Sequence, residues 1–93
     1  MMRKLVATAQ FRKDYKRAKK RGYDLSLLER VIDRLLHDEV LEPKYRDHAL
    51  SGRMTAYREC HIQPDWLLIY RIEDDCMVLV AHRTGTHSDL FDE

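Results

Sequence analysis

The sequence predicts an α+β domain: a short N-terminal strand, an αα-hairpin packed on a mainly antiparallel sheet, and a short C-terminal helical turn. Two observations carry that expectation. Apolar residues recur at helical spacing as far as Leu36, and beyond Arg53 the pattern changes to alternation in segments joined by hairpin-sized links. An αα-hairpin leaves apolar faces that need a sheet to cover them.

Leu5-Val6-Ala7-Thr8 reads as the first strand, after Arg3 and Lys4. Thr8 is placed to cap a helix whose inner face is Phe11, Tyr15 and Ala18, and Gly22 is its stop signal. Asp24 can cap a second helix. Its stripe of Leu28, Val31, Ile32, Leu35 and Leu36 is the strongest periodic signal in the chain. Periodicity is lost from Val40 to Arg53, where Pro43 and Ser51-Gly52 predict a long loop that contains His48. Strands are expected over about 55–62, 66–73 and 77–83, joined by Gln63-Pro64-Asp65 and by Asp74-Asp75. Alternation sorts the first of these into Cys60 and Ile62 under the helices, with Tyr57, Glu59 and His61 on the uncovered face. Ser88 to Phe91 can form one helical turn.

Length confines the 93 residues to a single domain, 1–93. The composition, 44 % hydrophobic and 35 % charged, is that of a soluble globular protein. No run approaches the ~18 apolar residues of a membrane span and no signal peptide is evident, so the expected compartment is the cytoplasm. Cys60 and Cys76 are expected as reduced thiols packed as small hydrophobes. A net charge of +1 conceals an asymmetry: residues 1–34 carry a balance of +7 and residues 35–93 one of −6. The basic half is either a solvated helix face or a docking surface for a polyanion or an acidic protein. The acidic half argues against non-specific nucleic-acid binding by the whole surface.

Five histidines are the chemical signal. His37 closes the second helix, where positive charge is favourable, and reads as structural. His82 alternates with Arg83 and is expected to point to the helix side. His61, His87 after Gly85, and His48 are the candidates for function. With Asp65, Trp66 and Arg83 they gather in two clusters, 60–66 and 83–87, that neighbouring strands could bring together. Metal-free RNA cleavage needs a base for the 2′-hydroxyl proton, an acid for the leaving 5′-oxygen and a cation for the phosphate. Imidazole suits the first two because it titrates near neutrality, and guanidinium suits the third. Trp66 and Phe91 could stack on bases. Zinc is disfavoured: no two of His48, His61, Asp65 and His87 have the short helical spacing of familiar motifs, and four ligands would leave no open position.

The motifs Phe11-Arg12-Lys13-Asp14-Tyr15-Lys16, Lys44-Tyr45-Arg46-Asp47-His48, Tyr57-Arg58 with His61, Pro64-Asp65-Trp66, and Arg83-Thr84-Gly85-Thr86-His87 with Phe91 resemble one family. It is the YafQ branch of the RelE/ParE toxin superfamily, and the match covers nearly the whole chain. The resemblance implies a small domain with a curved sheet and a type II toxin that cuts translated mRNA in the ribosomal A site. The reaction would need no metal or small-molecule cofactor and would pass through a 2′,3′-cyclic phosphate. The implied partners are the ribosome and a cognate antitoxin with a DNA-binding half; no membrane partner is implied. By motif, the catalytic set is His48, His61, Asp65 and His87, with Arg83 on phosphate and Trp66 and Phe91 on bases. His87 would be the general acid, His48 or Asp65 the base, and His61 would orient the phosphate. Asp92 and Glu93, beyond the phenyl at which such chains tend to end, would disfavour a nearby phosphate slightly. Two other readings compete: a ParE-like toxin that binds a topoisomerase, and an interaction domain without catalysis.

Overall fold

The structure, a computed structural model, describes residues 2–91. Strand β1 (Lys4–Ala7) leads into helices α1 (Ala9–Lys20) and α2 (Leu25–Leu36). Strands β2 (His48–Ala49), β3 (Arg58–Gln63), β4 (Trp66–Glu73) and β5 (Val78–Gly85) follow, and α3 (His87–Phe91) ends the described chain. One five-stranded sheet has the order β1-β5-β4-β3-β2, with β1 parallel to β5 and the other pairs antiparallel. The expected α+β architecture is therefore observed.

Both helix starts follow from their caps. The Thr8 hydroxyl accepts from the Phe11 N–H at 3.0 Å, and the Asp24 carboxylate accepts from the Ser26 N–H at 3.1 Å. Gly22, at φ +80°, supplies the left-handed residue that ends α1. The two helices are tied by a Tyr15 hydroxyl that donates to Glu29 at 2.9 Å. Their apolar stripes meet one face of the sheet in a core that includes Phe11, Leu28, Val31, Ile32, Leu35, Cys60, Ile62, Leu68, Tyr70, Leu79 and Ala81. Burial of Cys60 pushes its thiol well above the usual range.

β1 is shorter than β5, so the outer edge of β5 beyond Ala81 has no strand partner. α1 covers it. The Thr8 N–H donates to the Ala81 carbonyl at 3.1 Å, and buried Asp14 accepts from the Thr84 N–H at 3.2 Å. A side-chain carboxylate thus takes the place of a missing strand.

Four local expectations are corrected. The segment 40–53 is not one loop: it holds β2 and the single 3₁₀ turns Pro43–Tyr45 and Gly52–Met54. A two-residue strand has no periodicity to detect. His82 does not face the helices, because Ile69 pairs with Arg83 and Tyr70 with Ala81, leaving His82 in a β-bulge. Its ring packs 4.5 Å from that of Tyr57, and burial first, then Arg83 and Arg71, holds the imidazole below its usual pKa. Cys76 is exposed, in a turn where Asp74, Asp75 and Cys76 all have positive φ. Glu59, placed on the uncovered face, is nevertheless buried. The expectation for Asp92 and Glu93 lies outside the described residues.

Candidate active site

The candidate site lies on the sheet face opposite the helices. His61 and Glu59 share that face on β3 by alternation, and the antiparallel register sets His48 of β2 beside Glu59. The Glu59 Oε1 lies 3.2 Å from the His61 Nε2 and 3.9 Å from the His48 Nε2. A buried carboxylate needs partners, and these imidazoles are its partners. The His48 Nδ1 lies 2.6 Å from the Arg46 carbonyl, which requires a proton on that nitrogen. The lone pair of neutral His48 is thereby confined to Nε2, the atom nearer Glu59.

The second half of the site comes from two turns. Pro64 and Asp65 form the two-residue link between β3 and β4, with Gln63 and Trp66 paired across it. Pro64 presets its own φ, and Asp65 follows with its carboxylate exposed. On the far side, Thr86 and Asp89 make a capping box: the Asp89 N–H donates to the Thr86 hydroxyl and the Thr86 N–H to the Asp89 carboxylate, both at 3.0 Å. That box fixes His87 at the first position of α3. Asp89 also takes the Arg21 guanidinium at 2.6 Å, and this pairing holds its carboxyl far below the usual range. Gly85 is required beneath: a Cβ there would meet the Asp89 Oδ2 at 2.9 Å, at a φ of +158°.

Asp65 and His87 meet between these turns. The Asp65 Oδ1 accepts from the His87 backbone N–H at 2.9 Å and lies 2.7 Å from the His87 Nδ1. The backbone bond first, and the imidazole second, hold the Asp65 carboxyl below its usual pKa. With Nδ1 directed at the carboxylate, Nε2 is the free nitrogen of His87. The His61 ring stands edge-on, 5.7 Å from that of His87, and the Phe91 ring lies 6.5 Å from the His87 ring.

Arg83 and Trp66 do not present themselves as expected. Both arms of the Arg83 guanidinium bind Asp14, at 2.8 and 3.2 Å, so its charge is already matched. Burial raises the Asp14 pKa, but the Arg83, Gln10 and Thr84 hydrogen bonds outweigh it and leave the carboxyl lowered. Trp66 is 2 % exposed and lies on the helix side. Its indole donates to Thr84 at 2.9 Å and its ring centroid is 4.9 Å from that of Tyr23. It is a core residue and cannot stack on a base.

Glu59, His61 and His87 each offer a ligand atom, all within 4.8 Å of one another. Two imidazoles and a carboxylate suit zinc or copper. This trio differs from the four residues considered as zinc ligands from the sequence, in that Glu59 replaces His48 and Asp65.

The profile of a family described as the bacterial toxin of the type II toxin-antitoxin system, YafQ, matches residues 3–92. The chain belongs to the YafQ toxin family. The mRNA interferase toxin YafQ of Escherichia coli K12 is 38 % identical over 92 residues, covering 98 % of each chain. Among solved structures, YafQ in the Escherichia coli DinJ–YafQ toxin-antitoxin complex superposes with a TM-score of 0.88 at 38 % identity, over 98 % of this chain and 99 % of that one. A copper-bound mutant toxin from Helicobacter pylori superposes at 0.91 with 42 % identity, over 98 % and 100 %. The resemblance read from the motifs is thus the family shown by full-length comparison, and the two Escherichia coli relatives are named mRNA interferase toxins.

Two residues at the centre of this YafQ-family site escaped the sequence reading. Glu59 stands two positions before His61, which was enough to put it on the same face. Asp89 stands three after Thr86, the spacing of a capping box.

Proposed function

We propose that this YafQ-family chain is the mRNA interferase of a type II toxin-antitoxin pair, an endoribonuclease that cuts translated mRNA by metal-independent acid–base chemistry. The observation that carries the reading is the Asp65–His87 pair, doubly bonded and set edge-on to His61. His48 takes the proton of the 2′-hydroxyl on Nε2. Once protonated, this nitrogen is a donor on the side facing the Glu59 carboxylate, 3.9 Å away. The 2′-oxygen attacks phosphorus, the P–O5′ bond breaks, and His87 gives the Nε2 proton to the departing 5′-oxygen. The products are a 2′,3′-cyclic phosphate and a 5′-hydroxyl. Asp65 stabilises the His87 imidazolium that donates and is itself a poor base, since its own pKa is lowered. His61, fixed by Glu59, orients the phosphate; Arg83, its charge matched by Asp14, is left without the phosphate role expected of it. Phe91 is the one aromatic of the expected pair left to stack on a base.

The ribosome delivers the strand. A small domain with an acidic C-terminal half has weak intrinsic affinity for free RNA, and the basic helices dock on ribosomal RNA while the messenger is presented in the A site. The working compartment is then the cytoplasm, where translation takes place. A cognate antitoxin, for which the Escherichia coli DinJ–YafQ toxin-antitoxin complex is the supporting relative, would silence the site and carry a DNA-binding half. Primer extension on a defined mRNA, with and without translating ribosomes, tests the reading. Codon-phased cuts that need ribosomes and vanish in His87→Ala are expected. Growth inhibition that persists in His87→Ala without cuts would favour a ParE-like binder.

One observation favours a second, compatible reading. The Glu59–His61–His87 trio, together with the metal-bound Helicobacter relatives, supports binding of a transition-metal ion that blocks the nuclease by occupying its proton carriers. Added Cu²⁺ should suppress cleavage and a chelator should restore it; cleavage indifferent to the metal would refute this.

A further inference from the structure

A cavity of ≈ 470 Å³ opens beside the candidate active site, and the proton-transfer scheme makes no use of it. It lies between α2, the Pro43–Tyr45 turn and the outer edge of β3. β2 pairs with β3 only at Arg58 and Glu59, so the edge beyond has no strand beside it. The walls are chemically specific: Arg30 from α2, Lys44, Tyr45 and Arg46 from the turn, and Leu27 below. His61 lines the cavity as well as the catalytic cluster, so the two are continuous.

The three cations are free to act. Among the described residues, arginine ion pairs are made by Arg3, Arg17, Arg21, Arg34, Arg58, Arg71 and Arg83, and by neither Arg30 nor Arg46; no lysine makes one. The carboxylate closest in sequence to Lys44, Glu42, is engaged with Arg34 at 2.8 Å, and Asp24 acts on Arg30 only through space. Arg46 has φ +49°, a backbone region costly for a side chain of this kind, and such strain is concentrated at working sites. Lys44 lies 5.1 Å from the Tyr45 ring centroid, so one aromatic face and three charges are gathered in a space of ligand size.

We propose that this cavity is a subsite for the messenger strand, taking the nucleotide next to the scissile phosphate: Tyr45 stacks on its base, and Arg30, Lys44 and Arg46 hold its phosphate. The proposal rests on the nuclease reading. Cations with an interleaved aromatic are the recognition chemistry of single-stranded nucleic acid. Two of the three cations lie in residues 35–93, the half of the chain that carries a net charge of −6, and their local excess of positive charge selects where a strand can leave the catalytic cluster.

The test uses the full chain and an uncleavable 2′-O-methyl hexaribonucleotide followed by ¹⁵N NMR. One strand spanning both places should shift the amides of Tyr45, Arg46 and Gln63 together with those of His61, His87 and Phe91, with one common Kd at 1:1 stoichiometry. Tyr45→Leu should weaken binding by about 5- to 150-fold, with recovery in Tyr45→Phe. The double change Arg30→Gln, Lys44→Gln should lower the slope of log K against log salt by about 1.4, two phosphate contacts' worth, without changing the melting temperature. Shifts confined to the histidine cluster, unchanged binding by the variants, or a separate Kd for the cavity would each overturn the proposal. Failure of the nuclease reading looks different. A wild-type chain that binds through both patches yet leaves translated mRNA intact keeps the subsite and loses the enzyme.

Discussion

Replacing Glu59 with Gln is the sharpest probe of the candidate site. The change keeps shape and one acceptor oxygen and removes only the charge shared by His48 and His61, whose Nε2 atoms lie 3.9 and 3.2 Å away. Opposite unit charges ~4 Å apart interact by ~4 kcal/mol at the effective dielectric near a protein surface, whereas exposed pairs return ~0.2–1 kcal/mol. His48 is 51 % exposed but the Glu59 side chain only 8 %, so the pair falls between those limits. An interaction of about 1–2 kcal/mol, realised when His48 takes the proton, corresponds to a rate loss of ~5- to 30-fold, and loss of the His61 tether extends it toward ~100-fold. Single-turnover cleavage of a translated message measures it, with thermal melting as the control. Stability should be unchanged or raised, because a buried carboxylate is costly wherever its histidines are neutral. A cleavage rate within about threefold of wild type, or ~0.6 kcal/mol, would refute the role given to Glu59.

Other consequences of the structure can be checked alongside. Asp65→Asn removes the charge behind the His87 imidazolium and should slow cleavage by ~10- to 100-fold, less than the ~10²–10⁴ of a proton-transfer group; a loss as large as that of His87→Ala would make Asp65 a proton carrier instead. Trp66→Phe gives up the bond to Thr84 and part of the contact with Tyr23, about 2–3 kcal/mol together. Its melting temperature should fall by ~8–20 °C, with cleavage retained below the transition; lost cleavage at unchanged melting would return Trp66 to the substrate. Asp89 is an acid-stability determinant. Its folded pKa is depressed, so its contribution is complete above the unfolded value of ~3.9 and is lost as pH falls toward the folded one. Urea unfolding from pH 7 to pH 2 should show that decline in wild type, and Asp89→Asn should start lower and decline less.

What was legible follows from the range of each signal. The two helices declared themselves through caps and stripes contained in a dozen residues, and β3, β4 and β5 through alternation. The family was legible in the motifs around Pro64-Asp65-Trp66 and Arg83-Thr84-Gly85-Thr86-His87, and the candidate site where histidines stood out against a strand pattern. Trp66 misled because a turn motif suggested exposure, although alternation with Leu68 and Tyr70 already assigned it to the helix side. Asp14 and Arg83 are 69 positions apart, and their pairing depends on β1 ending early at the sheet edge. Glu59 was given the right face but no partner, because its neighbour His48 lies in a two-residue strand that no periodicity marks. The bulge at His82 shifts the rest of β5 by one, and a local insertion of that kind leaves composition and spacing untouched.

The ion pairs also refine the charge asymmetry. Of the basic residues in the first 34, Arg3 is bound to Asp38, Arg34 to Glu42, and Arg17 and Arg21 converge on Asp89. Those arginines are structural, and two of them brace the helix that carries His87. The lysines of α1 are different: Lys13, Lys16, Lys19 and Lys20 are exposed, and no described lysine makes an ion pair. The division of labour separates two losses that would look alike in a growth assay. Arg21→Gln should lower stability and disturb His87 wherever RNA is presented. Lys16→Gln with Lys20→Gln should leave folding intact and reduce cleavage only where ribosomes deliver the message, with an effect that fades as salt rises. If both variants instead lost cleavage with equal loss of stability, the lysines would be part of the scaffold, and the basic helix would have no surface left for docking.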